Sequence, residues 1–222
     1  MLNFVLENFP DRIQVQRDRS GNPLAASEFF NVQLHDMAET NGQNQAGSMI
    51  PNLTLVVGGA ASGKSLWAEN QLVRTGRKLV YVATAEARDA EMRRKIAAHV
   101  RRRGAKWRTV EAPTDIARAV AACGEHEAAL IDCATMWLSN CMGSGAEIEK
   151  LNSRFLDGVS LAACPVVVVS NEIGSGIVPA NELSRNFRTV HGELNQAIAE
   201  KAELVVNIVC GLPLVLKGAL PQ

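Results

Sequence analysis

The chain lacks any apolar run of the roughly 18 residues that a membrane helix needs, so no membrane span is expected. It also lacks net charge. Its 23 Lys and Arg balance 23 Asp and Glu, so nothing global attracts nucleic acid or an anionic membrane. No basic face studded with aromatics is present, which further argues against a nucleic-acid partner. The five cysteines (Cys123, Cys133, Cys141, Cys164 and Cys210) show no C-x-x-C spacing. An odd, scattered set fits reduced, buried thiols better than disulfides or a zinc site. The opening stretch MLNFVLENFPDR places acids and a proline where a signal peptide has a basic start and an apolar core. A cytoplasmic location is the expectation.

The length of 222 residues and a hydrophobic fraction of 47% suit one domain, or slightly more, with a sizeable core. Residues 1–50 differ from the rest. RDRSGNPLAASEFF and HDMAETNGQNQAGSM are polar and rich in Gly, Asn and Gln, a composition that rarely buries enough apolar surface to order itself. Residues 1–50 are therefore read as a poorly ordered extension, and 51–222 as the functional domain. Met49, just before PNLTLVV, is a candidate start of that domain.

From residue 53 strand and helix patterns alternate. Strands are expected at 53–57, 78–84, 107–111, 128–133, 165–170, 204–209 and 214–217. Helices are expected at 65–74, 87–103, 115–122, 134–142 and 146–163, with another before 203. The almost pure valine run at 165–170 reads as a central parallel strand covered on both faces. The last two strands read as a terminal hairpin about Gly211-Leu212-Pro213. The expected fold is α/β: a mainly parallel sheet with helices on both faces and a terminal hairpin. Ligands in such sheets sit at the carboxyl ends of the strands.

After the first apolar strand comes Gly58-Gly59-Ala60-Ala61-Ser62-Gly63-Lys64-Ser65, which fits G-x-x-x-x-G-K-[ST] and runs straight into a helix pattern, so the expected α/β fold is of the P-loop NTPase type. Small residues let successive N–H groups turn toward one phosphate, and the helix N-terminus favours an anion. Lys64 would reach the β- and γ-phosphates and the Ser65 hydroxyl would hold Mg²⁺. Asp132 ends an apolar strand. It either holds the same Mg²⁺ or caps the next helix. The 87–103 helix carries Arg88, Arg93, Arg94, Lys95, Arg101, Arg102 and Arg103, with His99 in its last turns. These cations are either a solvated face or a grip on a triphosphate. An imidazole among phosphates can attack phosphorus and form a covalent N–P bond, although a lone histidine is more often structural. Glu111, at a strand end, could accept from the two donors of a guanine edge or simply be a solvated acid. Asn171 and Glu172, in a Gly-rich stretch after the valine strand, point into the crevice or belong to a flexible turn.

Taken together, the segments GGAASGKS, YVATAEARDAEM, KIAAH, WRTVE, LIDCATMWLSN, VVSNEIGSGIVP and RNFRTVHGELNQ resemble the bifunctional adenosylcobinamide kinase / adenosylcobinamide-phosphate guanylyltransferase family of cobalamin biosynthesis. The likeness runs from about residue 53 to 217. It implies phosphorylation of adenosylcobinamide by a nucleoside triphosphate, then transfer of GMP from GTP through a histidine to adenosylcobinamide phosphate. It assigns the guanylylated histidine to His99. It assigns nucleotide contacts to Gly58–Ser65, Thr84, Ala85, Arg102, Arg103, Glu111 and Asp132. GTP, ATP and Mg²⁺ are the implied cofactors, and a homotrimer the implied assembly. Two features depart from the family pattern: Ala98 precedes His99 where a second histidine is common, and Gly104 stands where a proline is common. The competing readings are a simple P-loop kinase of a small metabolite with a structural His99, and a P-loop ATPase module coupled to a partner. A chain starting at Met49 is expected to keep folding and activity. Loss of either on truncation, followed by thermal melting and turnover, would refute the boundary.

Overall fold

The computed structural model describes residues 50–221 apart from 88 and 144–146, and, within the second helix, not the side chains of 91, 92, 95, 98 and 102. The expected extension, the start at Met49, Arg88 and the Arg102 contact therefore lie outside the described residues.

Seven strands form one sheet in the order β3-β2-β4-β5-β1-β6-β7. They are β1 (Leu53–Val57), β2 (Lys78–Ala83), β3 (Trp107–Glu111), β4 (Glu127–Asp132), β5 (Val166–Val169), β6 (Leu204–Val209) and β7 (Leu212–Lys217). All pairings are parallel except β6 with β7. The helices are α1 (Lys64–Arg74), α2 (Ala90–Arg103), α3 (Ile116–Ala121), α4 (Ala134–Gly143), α5 (Ile148–Ser160) and α6 (Glu182–Lys201).

The central strands β1 and β5 are buried at every residue. Each feeds both faces of the sheet, which is why they read as unbroken apolar runs rather than alternating ones. On one face Leu55, Val168 and Ile131 pack with Ile116, Trp137, Phe155, Leu194 and Ile198 from α3 to α6. On the other, Val56, Val167 and Leu130 pack with Ala68 and Leu72 of α1. Burial of such side chains contributes about 1.5–3 kcal/mol each, so the two layers clamp the sheet and fix where its carboxyl edge lies.

Three expectations shift. α2 begins at Ala90, not at 87, leaving Ala85, Glu86 and Ala87 as a loop along the cavity described below. β4 runs Glu127–Asp132, so Cys133 lies just past the strand. The hairpin turns at Cys210 and Gly211, not at Gly211-Leu212-Pro213. Both turn residues have positive φ, 53° and 80°, the combination a two-residue hairpin loop requires. Pro213 then lies inside β7, where an edge strand tolerates a missing N–H. Among the described residues no helix is long and apolar enough to cross a membrane.

Candidate active site

β1 ends at Val57 and the chain curls through Gly58–Gly63 into α1. A side chain at Gly58 would meet Ser62 Oγ at 2.6 Å and the Ile208 carbonyl at 2.7 Å, so the curl needs glycine there. Gly63 caps α1 with φ 94°. The Gly211 N–H donates to the Ser62 carbonyl at 2.9 Å, tying the loop to the hairpin, and the Glu172 N–H donates to the Gly58 carbonyl at 3.0 Å, tying it to the end of β5. Lys64 Nζ donates to the Gly59 carbonyl at 3.0 Å, so its ammonium lies across the loop it follows. Burial pushes Lys64 below its ordinary range; Cys133 and the Asp132 carboxylate push back.

The loop forms one wall of a cavity of about 660 Å³. Of the residues singled out in the sequence, Ala60, Ala61, Lys64, Ser65, Ala85, His99, Arg103, Glu111 and Asp132 line it, as does Asn171. Five strand ends and α2 are thus brought to one space. His99 Nδ1 lies 4.0 Å from Asp132 Oδ2. The Tyr81 hydroxyl donates to that same oxygen at 3.1 Å. Arg103 Cζ lies over the Tyr81 ring, 3.2 Å from its centre, with Nη1 4.0 Å from Glu69 Oε1. Burial, then the Asp132 carboxylate, push the Tyr81 phenol well above its usual range, so it stays a donor.

Other expected residues play different parts. Gly58, Gly59, Ser62 and Gly63 shape the loop. Thr84 lies behind the cavity. Its hydroxyl donates to the Cys133 carbonyl (2.9 Å) and accepts from the Cys133 N–H (2.7 Å), while its carbonyl accepts from Asn140 Nδ2 at 2.8 Å. Glu172 turns back on its own loop and accepts from the Gly174 and Ser175 N–H groups. Asn171 is held by a buried network: its N–H donates to Thr135 Oγ1, and its carbonyl accepts from Asn195 Nδ2. His191 Nε2 sits between Thr135 Oγ1 (2.9 Å) and Ser170 Oγ (3.2 Å) in that network. Sequence reasoning missed Tyr81 and His191. Tyr81 is the chain's one tyrosine, set in an apolar strand, and His191 sits within RTVHGELNQ.

Ser65 and Asp132 both line the cavity and offer oxygen donors, the donor chemistry of a magnesium site completed by phosphate oxygens. No group of three or more His, Cys, Asp or Glu able to hold a metal occurs among the described residues. The donor set therefore suits a cation shared with a bound phosphate rather than an all-protein cage.

A family model described as cobinamide kinase / cobinamide phosphate guanyltransferase matches residues 54–216. The bifunctional adenosylcobalamin biosynthesis protein CobP of Pseudomonas aeruginosa is 43% identical over 169 residues, covering 74% of this chain and 96% of that protein. The corresponding protein CobU of Salmonella typhimurium is 35% identical over 181 residues, covering 74% and 99%. The solved RadB recombinase overlaps at a TM-score of 0.44 and 17% identity, over 71% of this chain and 74% of that one.

Burial depresses the pKa of His191 from its ordinary 6.5. The unfolded chain therefore takes up a proton that the folded chain resists. The stability this neutral ring contributes is complete above about pH 6.5 and lost as pH falls below it, at no more than about 1.4 kcal/mol per pH unit. His191→Gln, which cannot ionise, should flatten that part of the profile in urea unfolding between about pH 7.5 and 5. Parallel profiles for the two proteins would show that His191 is not the group responsible.

Proposed function

Because this chain belongs to the cobinamide kinase / cobinamide phosphate guanyltransferase family, we propose that it carries out both reactions of that name. In the first, the hydroxyl on the aminopropanol arm of adenosylcobinamide takes a phosphoryl group from ATP or GTP. In the second, GMP passes from GTP to His99 and then to adenosylcobinamide phosphate, giving adenosylcobinamide-GDP for cobalamin biosynthesis. The observation that carries this reading is the convergence of Lys64, Ser65, Asp132 and His99 on one cavity.

Each residue has a distinct part. The N–H groups of the Gly58–Ser65 loop and Lys64 bind the phosphates of the nucleotide. Ser65 and Asp132 hold Mg²⁺, which when bound neutralises phosphate charge. Glu111, at the end of β3, faces the guanine edge and accepts from its N1–H and amino group. His99 attacks the α-phosphorus of GTP: an N–P bond forms, the bond to the bridging oxygen breaks, and pyrophosphate leaves. A phosphate oxygen of adenosylcobinamide phosphate then attacks the same phosphorus and returns the electron pair to the imidazole. The covalent step splits one displacement into two in-line ones.

The protein works as a cytoplasmic homotrimer without a nucleic-acid partner. The association reading is supported by β7, whose Leu212, Leu214 and Leu216 are 70%, 56% and 59% exposed along one face of an edge strand. Edge strands of this kind are normally covered.

The central test is incubation with GTP labelled at the α-phosphate, then denaturation. An acid-labile, alkali-stable label that His99→Ala abolishes is expected. A protein that transfers γ-phosphate to adenosylcobinamide but takes no label is a simple kinase. γ-Phosphate release stimulated by a macromolecule would point to an ATPase module instead. For assembly, Leu214→Lys with Leu216→Lys should convert trimers to monomers in analytical ultracentrifugation; an unchanged mass would place the contact elsewhere.

A further inference from the structure

Asp132 is addressed by two side chains at one atom. The Tyr81 hydroxyl and His99 Nδ1 both meet Oδ2, at 3.1 Å and 4.0 Å. The topology imposes this meeting. β2 and β4 are parallel neighbours with Ala83 opposite Asp132 and Tyr81 opposite Leu130. Side chains two apart on a strand share a face, so Tyr81 and Asp132 are diagonal neighbours on one side of the sheet.

The helix bearing His99 is tied to the same tyrosine. Arg103 lies four residues after His99, hence on the same face of α2. Its guanidinium covers the Tyr81 ring at 3.2 Å from the centroid. Trp107 meets the Tyr81 ring edge-on, with ring centres 6.4 Å apart. The Arg103 side chain is only 3% exposed; besides the stack on Tyr81, its Nη1 lies 4.0 Å from Glu69 Oε1 and has no hydrogen-bond partner among the described residues. One aromatic side chain therefore sets both the carboxylate and the turn of helix that carries the imidazole.

We propose that Tyr81 is a positioning residue for transfer to His99: through its hydroxyl on Asp132 and its ring under Arg103, it presents the Asp132 carboxylate to His99 Nδ1 and so directs Nε2 to phosphorus. This deepens the His99 reading given above and rests on it. A carboxylate has about four lone-pair positions, so Asp132 can serve Tyr81 and His99 on Oδ2 and a cation as well. The 4.0 Å separation is an ion-pair distance, and catalytic hydrogen bonds in unliganded sites commonly tighten in the reacting complex. During attack on the α-phosphorus the proton stays on Nδ1, directed to Asp132. The Nε2 pair forms the N–P bond while the bond to the pyrophosphate oxygen breaks. When adenosylcobinamide phosphate takes the GMP, that pair returns to Nε2 and no proton need leave the ring.

Tyr81→Phe removes only the hydroxyl and keeps the ring under Arg103. The single-turnover rate of His99 labelling from α-labelled GTP should fall about 10- to 100-fold, with the KM for GTP moving less than about threefold. Nitrogen NMR of the His99 ring, which needs no turnover, should show Nδ1–H in the unsubstituted protein and a growing Nε2–H population in Tyr81→Phe. An unchanged labelling rate in Tyr81→Phe, or Nε2–H as the resting form of the unsubstituted protein, overturns the positioning role. An Nδ1–H ring in a protein that takes no label overturns the His99 reading, and the positioning role with it. The ring state separates the two failures.

Discussion

The close approach of two backbones at Gly63 and Gly211 is the constraint on which the site depends. A Cβ at Gly63 would come within 3.2 Å of Gly211 Cα, and φ at Gly63 is 94°. Gly63 is the glycine that lets the phosphate loop close against the hairpin turn, where Gly211, at φ 80°, sets its N–H on the Ser62 carbonyl. On the other side, the Glu172 N–H holds the Gly58 carbonyl. The loop after β1 is thus held by segments following β6 and β5, the two strands that flank β1 in the sheet. A terminal hairpin that could look like an appendage is part of the cradle. Its antiparallel return brings the Gly211 N–H to the loop carbonyl of Ser62.

A second consequence concerns buried polar groups. The carboxyl edge of β2, β4 and β5 is dense with them, and nearly all are answered within the protein. Thr84 clasps both backbone groups of Cys133, Asn140 crosses to Thr84 and Pro113, and Thr135, His191, Ser170 and Asn195 hold Asn171. An unmet buried donor or acceptor costs about 1–3 kcal/mol, so this network resists rearrangement. It forms the rigid back of the cavity. The groups with room for a ligand (Lys64, Ser65, Glu111, His99) stand in front of it.

Much of this was legible in the sequence because its signals were local. The strand–loop–helix run at 53–74 states its own geometry: an apolar strand, then glycines, then Lys64 and Ser65 at the helix start. The all-valine stretch announced a central strand, and β5 is buried throughout. The hairpin turn was misplaced by one or two residues because Pro213 looked like a turn residue. Cys210, which adopts positive φ, carries no such signal. The early start expected for α2 failed because Glu86 and Ala87 favour helix by composition, yet tertiary placement keeps 84–87 as a loop along the cavity. Thr84, to which the family resemblance assigns a nucleotide contact, is fully buried, and its hydroxyl meets Cys133 after a strand that the sheet order alone makes its neighbour. Tyr81 and His191 escaped for a related reason. Their roles come from partners 51 and 56 residues away in the chain, which no local pattern encodes.

The helix that carries the histidine has a polar attachment to the sheet: the Arg103 side chain, only 3% exposed, lies against Tyr81 of β2. Arg103 supplies this attachment at a cost. Its buried Nη1 lacks a hydrogen-bond partner, which at about 1–3 kcal/mol rivals the roughly 2 kcal/mol of a desolvated cation–π stack. Glu69, 4.0 Å away, compensates the charge without satisfying that donor. These opposed terms nearly cancel, so the stack contributes little net stability while fixing a direction. It turns the His99 face of α2 toward Asp132 and the end of the phosphate loop. Fixing that direction is what a group transfer between a loop-bound triphosphate and an imidazole requires, since charge neutralisation and alignment, rather than new bond-making groups, limit such reactions.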